Sequence, residues 1–170
     1  WAPDTYGGAH STGNAILKQG GKTWFLVVAD YIFGRTLQNE VTSLVQSGGG
    51  QVLGSVAYPF PGTTDFSSFL LQAQASGADV VAFCNTGGDM ENSVKQAHEF
   101  GLARGGKTVA PMFGFVTEMK ALGLETGQGL YMTEPFYWDL NDRTRAFSAR
   151  FAERMGGAKP TMIQAGMYSG

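Results

Sequence analysis

Five short apolar segments recur along the chain, and longer amphipathic segments separate them. Each is rich in β-branched and aromatic residues, and its apolar character is nearly continuous rather than alternating. Such segments are typical of strands that are covered on both faces of a sheet. We therefore predict strands over residues 22–30, 51–58, 78–85, 107–115 and 129–136.

The segments between these strands carry apolar side chains at helical spacing, which predicts amphipathic helices. Four such stripes are Leu37, Val41, Leu44 and Val45; Phe66, Phe69, Leu70 and Ala73; Met90, Val94 and Ala97; and Phe147, Phe151 and Met155. Thr64 or Asp65 is placed to cap the second helix. Glycine follows each of the first three helices, where it relieves the left-handed turn that ends a helix.

Strand and helix alternate with a period of roughly 25–30 residues, which is the size of a βαβ unit. Parallel strands need crossover connections, and these crossovers are right-handed. The sequence therefore predicts an α/β fold, a doubly wound and mostly parallel sheet of about five strands with helices on both faces. We expect residues 1–170 to form a single lobe of this kind.

Composition narrows the class of protein. A hydrophobic content of 43% and an aromatic content of 12% exclude a disordered chain. The net charge is −2 and lysines and arginines do not cluster, so we expect no nucleic-acid surface. The only cysteine is Cys84, and the apolar runs are too short to span a bilayer. Because the chain begins at Trp1, we expect it to be an excised or processed piece.

The stretch GLARGGKT at residues 101–108 fits the phosphate-loop pattern G-x-x-x-x-G-K-[ST]. A phosphate loop needs a strand before it and a helix after it, so that backbone N–H groups and the helix dipole meet the anion. Here the predicted order is helix first and strand second, which is also the context of a similar turn at residues 20–23. We interpret the stretch as a helix-to-strand turn at the sheet edge opposite the one that binds ligands.

In an open α/β sheet the ligand crevice lies beyond the carboxyl ends of the strands. The residues that follow the predicted strands are aromatic with a few polar groups between them, which suits a small-molecule pocket. They are Asp30, Tyr31 and Phe33; Tyr58, Thr63, Thr64 and Asp65; Asn85, Thr86 and Asp89; Phe113, Phe115, Thr117 and Glu118; and Phe136, Tyr137 and Trp138. The alternative is that the aromatic residues are ordinary packing and that Asp65, Asp89 and Asp139 cap helices.

Residues for catalysis are scarce. His10 lies in a polar lead-in, His98 lies inside a predicted helix, and Cys84 has no histidine near it in sequence, so we expect Cys84 in the core. No His/Cys pair has zinc spacing, and no G-x-G-x-x-G or G-x-S-x-G motif marks a dinucleotide or hydrolase site. We therefore predict no enzyme, metal or cofactor.

Three stretches carry a resemblance to a known family. They are VVADYIFGRTLQNEV, then GSVAYPFPGTTDF ahead of a helix and an ADVV strand, and GLYMTEPFYWDLNDRTRAF. The chain resembles, over essentially its whole length, the second lobe of periplasmic solute-binding proteins of the leucine/isoleucine/valine-binding type. The resemblance implies a type I periplasmic-binding fold, a periplasmic location, a small-molecule ligand enclosed against a missing first lobe, and an ABC transporter permease as partner.

The resemblance also implies which residues bind ligand. Phe33 occupies the aromatic position of the family's D-x-x-[YF]-G loop, and Tyr31 lies beside it. The ligand-binding set that we predict is Tyr31, Phe33, Asn85, Thr86, Asp89, Phe113 and Phe115.

One departure from the family bears on the ligand. Amino-acid-binding members tend to carry a carboxylate in the loop after the fourth strand, where this chain has FGFVT with Glu118 slightly later. A ligand ammonium group then has a less obvious partner in this chain, with Asp30 or Asp89 as the remaining carboxylates. We therefore expect the ligand to be an aromatic acid or a related apolar acid. Ligand would bridge the lobes and shift an open–closed equilibrium. A sensory or regulatory ligand-binding domain of the same fold is the alternative.

Overall fold

The computed structural model of the chain describes residues 4–169, and the side chains of residues 4–167. Four strands alternate with helices, and further helices follow them. The strands are β1 Thr23–Ala29, β2 Gln51–Tyr58, β3 Val80–Cys84 and β4 Thr108–Pro111. The helices are α1 Thr5–Lys18, α2 Ile32–Ser47, α3 Ser67–Ala75, α4 Gly87–Glu99, α5 Val116–Gly127, α6 Asp142–Arg154 and α7 Met162–Ser169.

The strands form one parallel sheet in the order β2-β1-β3-β4. Val27 of β1 lies opposite Val56 of β2 on one side and Phe83 of β3 on the other. The chain therefore moves outward from β1 to β2, then returns past β1 and continues through β3 to β4. This confirms the predicted doubly wound α/β fold.

The central strand β1 separates two hydrophobic clusters, because its successive side chains point to opposite faces. Trp24, Leu26 and Val28 are fully buried in the cluster that contains the apolar residues of α1 and α2. Phe25 and Val27 pack on the other face against α3 and α4. Burial on both faces explains why the sequences of β1 and β3 are continuously apolar, whereas the edge strand β2 is only partly buried.

The predicted fifth strand is wrong, since residues 129–136 form no ladder and the sheet has four strands. The segment is held by side chains instead: the Thr133 and Thr12 hydroxyl oxygens lie 2.9 Å apart, and Tyr131 donates to Gln19, the residue just past α1. The edge strand β4 is four residues long and ends at Pro111, whose nitrogen has no hydrogen to donate. The apolar sequence of residues 129–136 thus resembles that of a strand, although the segment does not form one.

The predicted polar lead-in around His10 is also wrong, because it is the helix α1. Asp4 caps this helix by accepting from the backbone N–H of Gly7. Ala9 and Ile16 are buried against the sheet, while His10 stacks on Tyr6 with ring centroids 3.8 Å apart. Small and polar residues, including two glycines in the first turns, weaken the apolar period of this helix.

The helices α6 and α7 pack around a small cluster of their own. Phe136, Met162 and Ala165 are buried there, with Phe115 and Phe147 against them. The cluster lies beyond the segment 129–136 and draws no residue from the strands. Of the predicted stripe on α6, Met155 lies just past the helix end and is 47% exposed.

Candidate functional site

The carboxyl ends of β1 and β3 lie side by side at the point where the winding direction of the sheet changes. Tyr31 precedes α2 just after β1, and Asn85 and Thr86 precede α4 just after β3. A Cβ atom added at Gly34 would lie 2.1 Å from the carbonyl oxygen of Ala29, so only glycine lets α2 start this close to the strand. Open α/β sheets bind ligands at such switch points.

Five aromatic rings form a continuous row along this edge. Tyr31 stacks on Phe60 at a centroid distance of 4.1 Å and lies 5.9 Å from Phe33. Phe33 meets Phe113 edge to face at 5.0 Å, and Phe113 meets Phe115 in the same way at 5.4 Å. We call these five residues the aromatic row. It brings together four of the predicted ligand-binding residues, which the sequence spreads over more than eighty positions.

Phe60 is the member of the aromatic row that sequence reasoning missed. It lies between two prolines in the turn after β2 and is 42% exposed. The signal for it was present, because the turn after a parallel strand lies at the carboxyl edge.

A cavity of about 210 Å³ opens at the Phe115 end of the aromatic row. The first two turns of α1 form one wall of this cavity. Their residues are not among the predicted site residues, because the helix itself was not predicted. A Cβ atom added at Gly8 would lie 2.9 Å from the Met112 carbonyl oxygen, so glycine allows α1 to approach the end of β4. The residues that line the cavity are Asp4, Gly7, Gly8, Ser11, Phe113, Gly114, Phe115, Thr133 and Pro135.

A polar network lies beside the aromatic row, at the other predicted residues. The Tyr58 hydroxyl donates to Asp89 Oδ2 at 2.8 Å, and Asn85 Nδ2 donates to Ser93 Oγ at 3.1 Å. Burial raises the pKa of the Tyr58 phenol far above its ordinary range. Asn85 is 1% exposed, and its Oδ1 has no hydrogen-bond partner.

Glu118 joins the starts of two helices. It is 6% exposed, and it accepts from the backbone N–H of Gly87 at 2.8 Å and from that of Phe115. Burial raises the pKa of the Glu118 carboxyl, while these hydrogen bonds act in the opposite direction. Its carboxylate thus lies at the loop after β4, although in sequence it follows that loop.

The remaining candidates lie apart from the aromatic row or are held by neighbours. Asp30 pairs with Arg35 at 2.8 Å on the surface, and Thr63 donates to the Pro59 carbonyl at 2.7 Å. Asp65 accepts from Ser67 N at 2.9 Å at the start of α3, as a capping residue does. Phe136, Tyr137 and Trp138 lie in or beside the α6–α7 cluster.

The structure confirms the helix-to-strand interpretation of GLARGGKT. The stretch connects α4 to β4 at the amino edge of the sheet. Lys107 Nζ donates to the Ala78 carbonyl at 2.6 Å, and the backbone N–H of Thr108 donates to the Asp79 carbonyl at 2.8 Å. Both groups therefore serve the start of the strand.

Cys84 is fully buried, as expected for a core residue, and burial raises the pKa of its thiol. His98 lies on α4. Over residues 4–169 no three His, Cys, Asp or Glu side chains are grouped so that they could hold a metal ion. Within that range no helix is both long and apolar enough to cross a bilayer.

The parallel sheet and its two helical layers define an α/β lobe with a row of aromatic residues at the switch point. The chain belongs to the periplasmic binding protein family, whose sequence pattern matches residues 1–170. The lobe has the type I periplasmic-binding fold, so the family that the sequence resembles is confirmed. No curated protein sequence matches the chain significantly.

Solved structures share this fold. A periplasmic binding protein from Burkholderia mallei is 43% identical with a TM-score of 0.87, over 95% of this chain and 42% of that one. A branched chain amino acid ABC transporter periplasmic ligand-binding protein from Burkholderia xenovorans is 43% identical with a TM-score of 0.83, over 97% and 43%. A solute binding protein from Rhodopseudomonas palustris in complex with 3,4-dihydroxy benzoic acid is 20% identical with a TM-score of 0.79, over 97% and 46%, a likeness of fold alone. This chain spans less than half the length of each.

Proposed function

We propose that this chain is a ligand-binding lobe of the solute-binding component of an ABC importer. It captures a small carboxylate, an aromatic acid or a branched-chain or aromatic amino acid, between itself and a second lobe in the periplasm. The loaded protein then delivers the ligand to the permease. The chain supplies binding surface and no catalysis.

The aromatic row at the switch point carries this proposal. Ring faces and edges held 4.1–5.9 Å apart by their centroids form an apolar wall on which a flat ligand can stack. The adjoining cavity of about 210 Å³ is smaller than the roughly 300–1,000 Å³ of complete small-molecule pockets. A second lobe closing on this edge supplies the missing part of the enclosure.

The relatives support the ligand class at two levels. The Burkholderia xenovorans protein is named for branched-chain amino acid transport and is 43% identical to this chain. The Rhodopseudomonas palustris protein shows that the same fold holds an aromatic acid. Among these ligands the aromatic row favours aromatic acids, because stacked rings contribute about 0.5–1.5 kcal/mol beyond the area that they bury.

The proposed mechanism is closure of two lobes around the ligand. Ligand that contacts both lobes stabilises the closed state by its differential affinity for that state. One lobe alone offers half of the contacts, so we expect weak binding by this chain in isolation.

Titration calorimetry of the full-length protein and of the 170-residue chain tests the proposal. The ligands are benzoate, 3,4-dihydroxybenzoate, phenylalanine and leucine. We expect the full-length protein to bind at least one aromatic acid tightly, and the single lobe to bind it at least a hundredfold more weakly. Tight binding of leucine and of no aromatic acid would contradict the preference for aromatic acids within this ligand class. Binding of none of these ligands would contradict solute capture of this kind, and submicromolar affinity of the single lobe would contradict closure.

A further inference from the structure

The carboxylates around the aromatic row differ in what neutralises them. Asp30 is paired with Arg35, and Glu118 accepts two backbone N–H groups. Glu134 accepts the backbone N–H of Val116 at 3.3 Å. Asp89 is half-buried and accepts from the neutral Tyr58 phenol, and no cation of residues 4–167 lies within ion-pair distance of it. Its negative charge is therefore available to a ligand.

The net charge of this edge decides which end of a ligand faces it. Carboxylates outnumber cations here: Asp4, Asp30, Asp89, Glu118 and Glu134 stand against Arg35. Like charges in a partly dehydrated crevice repel one another more strongly than they do in water. A ligand carboxylate is thus directed toward the second lobe, and the opposite end of the ligand toward Asp89.

The support beneath Asp89 holds its carboxylate in place and leaves room for a second donor. The Tyr58 ring is fully buried, and its hydroxyl donates to Asp89 Oδ2 at 2.8 Å. An ionised carboxylate offers about four acceptor sites on its two oxygens. One hydrogen bond from Tyr58 therefore leaves acceptor sites of Asp89 for a donor group on a ligand.

We propose that Asp89 selects ligands by accepting a hydrogen bond from a donor group on the ligand, an ammonium or a ring hydroxyl. Tyr58 is a positioning residue that orients the carboxylate. This inference rests on the proposed function and adds the chemistry that separates one small acid from another. Tyr31 follows β1, and Tyr58 ends the neighbouring strand β2, so the Asp89 carboxylate that accepts from Tyr58 lies at the same edge as the aromatic row. Burial and then the Asp89 charge raise the pKa of the Tyr31 phenol.

The test compares matched ligands on the full-length protein by calorimetry. One pair is 4-hydroxybenzoate with benzoate, and the other is phenylalanine with 3-phenylpropionate, so each pair differs by one donor group. We expect Asp89→Asn to weaken the donor-bearing ligand by about tenfold to a hundredfold, the range for hydrogen bonds to charged groups. Binding of the donor-free ligand should change less than about twofold. The pair that responds identifies the donor as hydroxyl or ammonium.

Two further variants separate selection from general damage. Glu99→Gln removes an exposed carboxylate at the other end of α4, away from the aromatic row, and we expect both ligands of each pair to bind as before. Tyr58→Phe keeps the buried ring and removes the hydroxyl, and we expect a severalfold loss confined to donor-bearing ligands. A purely structural role of Tyr58 would weaken both ligands equally.

The outcomes distinguish this inference from the function beneath it. If the wild type binds the acids but Asp89→Asn weakens both members of each pair alike, or neither, Asp89 does not select and the inference fails alone. If the wild type binds none of the four ligands but binds leucine, the inference fails and the proposed function stands. If it binds neither the four ligands nor leucine, both fail.

Discussion

The two edges of the sheet contain turns of similar length but opposite chemistry. At the amino edge, Thr23 and Asp79 hydrogen-bond to each other in both directions, and Lys107 donates to the Ala78 carbonyl. At the carboxyl edge, five aromatic rings line a crevice, and the buried Oδ1 of Asn85 has no partner. The polar groups named at the amino edge hydrogen-bond to one another. The carboxyl edge differs in its aromatic rings and in one buried acceptor that stays unpaired.

This difference shows why direction along the chain decides the meaning of a motif. GLARGGKT contains every fixed residue of a phosphate loop, yet it runs from α4 into β4. Its backbone N–H groups from Gly105 to Lys107 therefore donate within the turn itself, while the Thr108 N–H and the Lys107 ammonium donate at the start of β3. Placing this turn at the amino edge assigns the opposite edge to ligands.

The largest effect that we expect at the carboxyl edge comes from Gly34→Ala. The added methyl would lie 2.1 Å from the Ala29 carbonyl oxygen and 3.1 Å from that of Cys84, both of them backbone atoms. Overpacking against atoms that cannot move aside should lower the free energy of unfolding by about 3 kcal/mol. Urea unfolding of the two proteins measures it.

Gly88→Ala is the matched control, since Gly88 lies in the first turn of α4 at the same edge with nothing within 4 Å of the added carbon. Alanine in a helix should stabilise the protein by about 0.5–1 kcal/mol. Equal effects of the two substitutions would show that the closeness of α2 to the strands is not what fixes this edge.

The next largest effect concerns the aromatic row itself. Phe113 contacts both Phe33 and Phe115, so Phe113→Ala breaks the row near its middle. We expect the free energy of unfolding to fall by about 2 kcal/mol, less than for a fully buried phenylalanine, because the ring is half-buried. We also expect an aromatic acid to bind the full-length protein at least about tenfold more weakly.

Phe100→Ala serves as the control at the other edge. Phe100 follows the end of α4 and is 37% exposed. Its removal should leave the affinity for ligand unchanged when measured by the same calorimetric titration. Loss of affinity in both variants would mean that aromatic residues act through the stability of the lobe rather than at one edge.

The fold could be predicted largely from the sequence because burial on both faces imposes a simple pattern. The predicted strand 22–30 contains β1, which is buried on both faces, and the stripe from Leu37 to Val45 lies buried on α2. The errors fall where that pattern weakens. Residues 129–136 are apolar but bind through side chains, and α1 begins with glycines and polar residues that hide its period.

The sequence predicts at which edge of the sheet the candidate site lies, but not which side chains contact one another there. The strand ends locate Tyr31, Phe33, Phe113 and Phe115 on one side of the sheet, because parallel strands share an edge. The distances that join these residues to Phe60 depend on loop geometry, which apolar spacing does not determine. The hydrogen bond from the Gly87 N–H to the Glu118 carboxylate depends in the same way on the backbone geometry at the starts of α4 and α5.

A smaller effect should appear in the pH dependence of stability. Burial raises the pKa of Glu134, and the Glu118 charge adds to the shift, so the folded protein keeps this proton where the unfolded chain has released it. The contribution of Glu134 to the free energy of unfolding therefore falls as the pH rises from 4.5, the ordinary pKa of the group, through the raised pKa. Above the raised pKa this contribution is constant. The slope stays below the roughly 1.4 kcal/mol per pH unit of one whole proton.

Glu134→Gln removes this titration while keeping an oxygen for the Val116 N–H. We expect the stability of this variant relative to wild type to increase as pH rises through that window, measured by urea unfolding at several pH values. Glu125→Gln removes an exposed glutamate of α5 and should show no such trend. Parallel pH curves for wild type and Glu134→Gln would contradict the assignment.

The smallest effect is expected at the amino edge, from Lys107→Met. The substitution keeps the length of the side chain and removes the hydrogen bond from Nζ to the Ala78 carbonyl, so stability should fall by about 1 kcal/mol or less. Affinity for an aromatic acid should not change, and ATP with Mg²⁺ should not raise the melting temperature of either protein. If ATP stabilises the wild type and not Lys107→Met, the amino edge binds phosphate and the contrast between the edges is wrong. If ATP stabilises neither protein, the role of Lys107 is structural: like Thr23 and Asp79 beside it, it holds a strand in place.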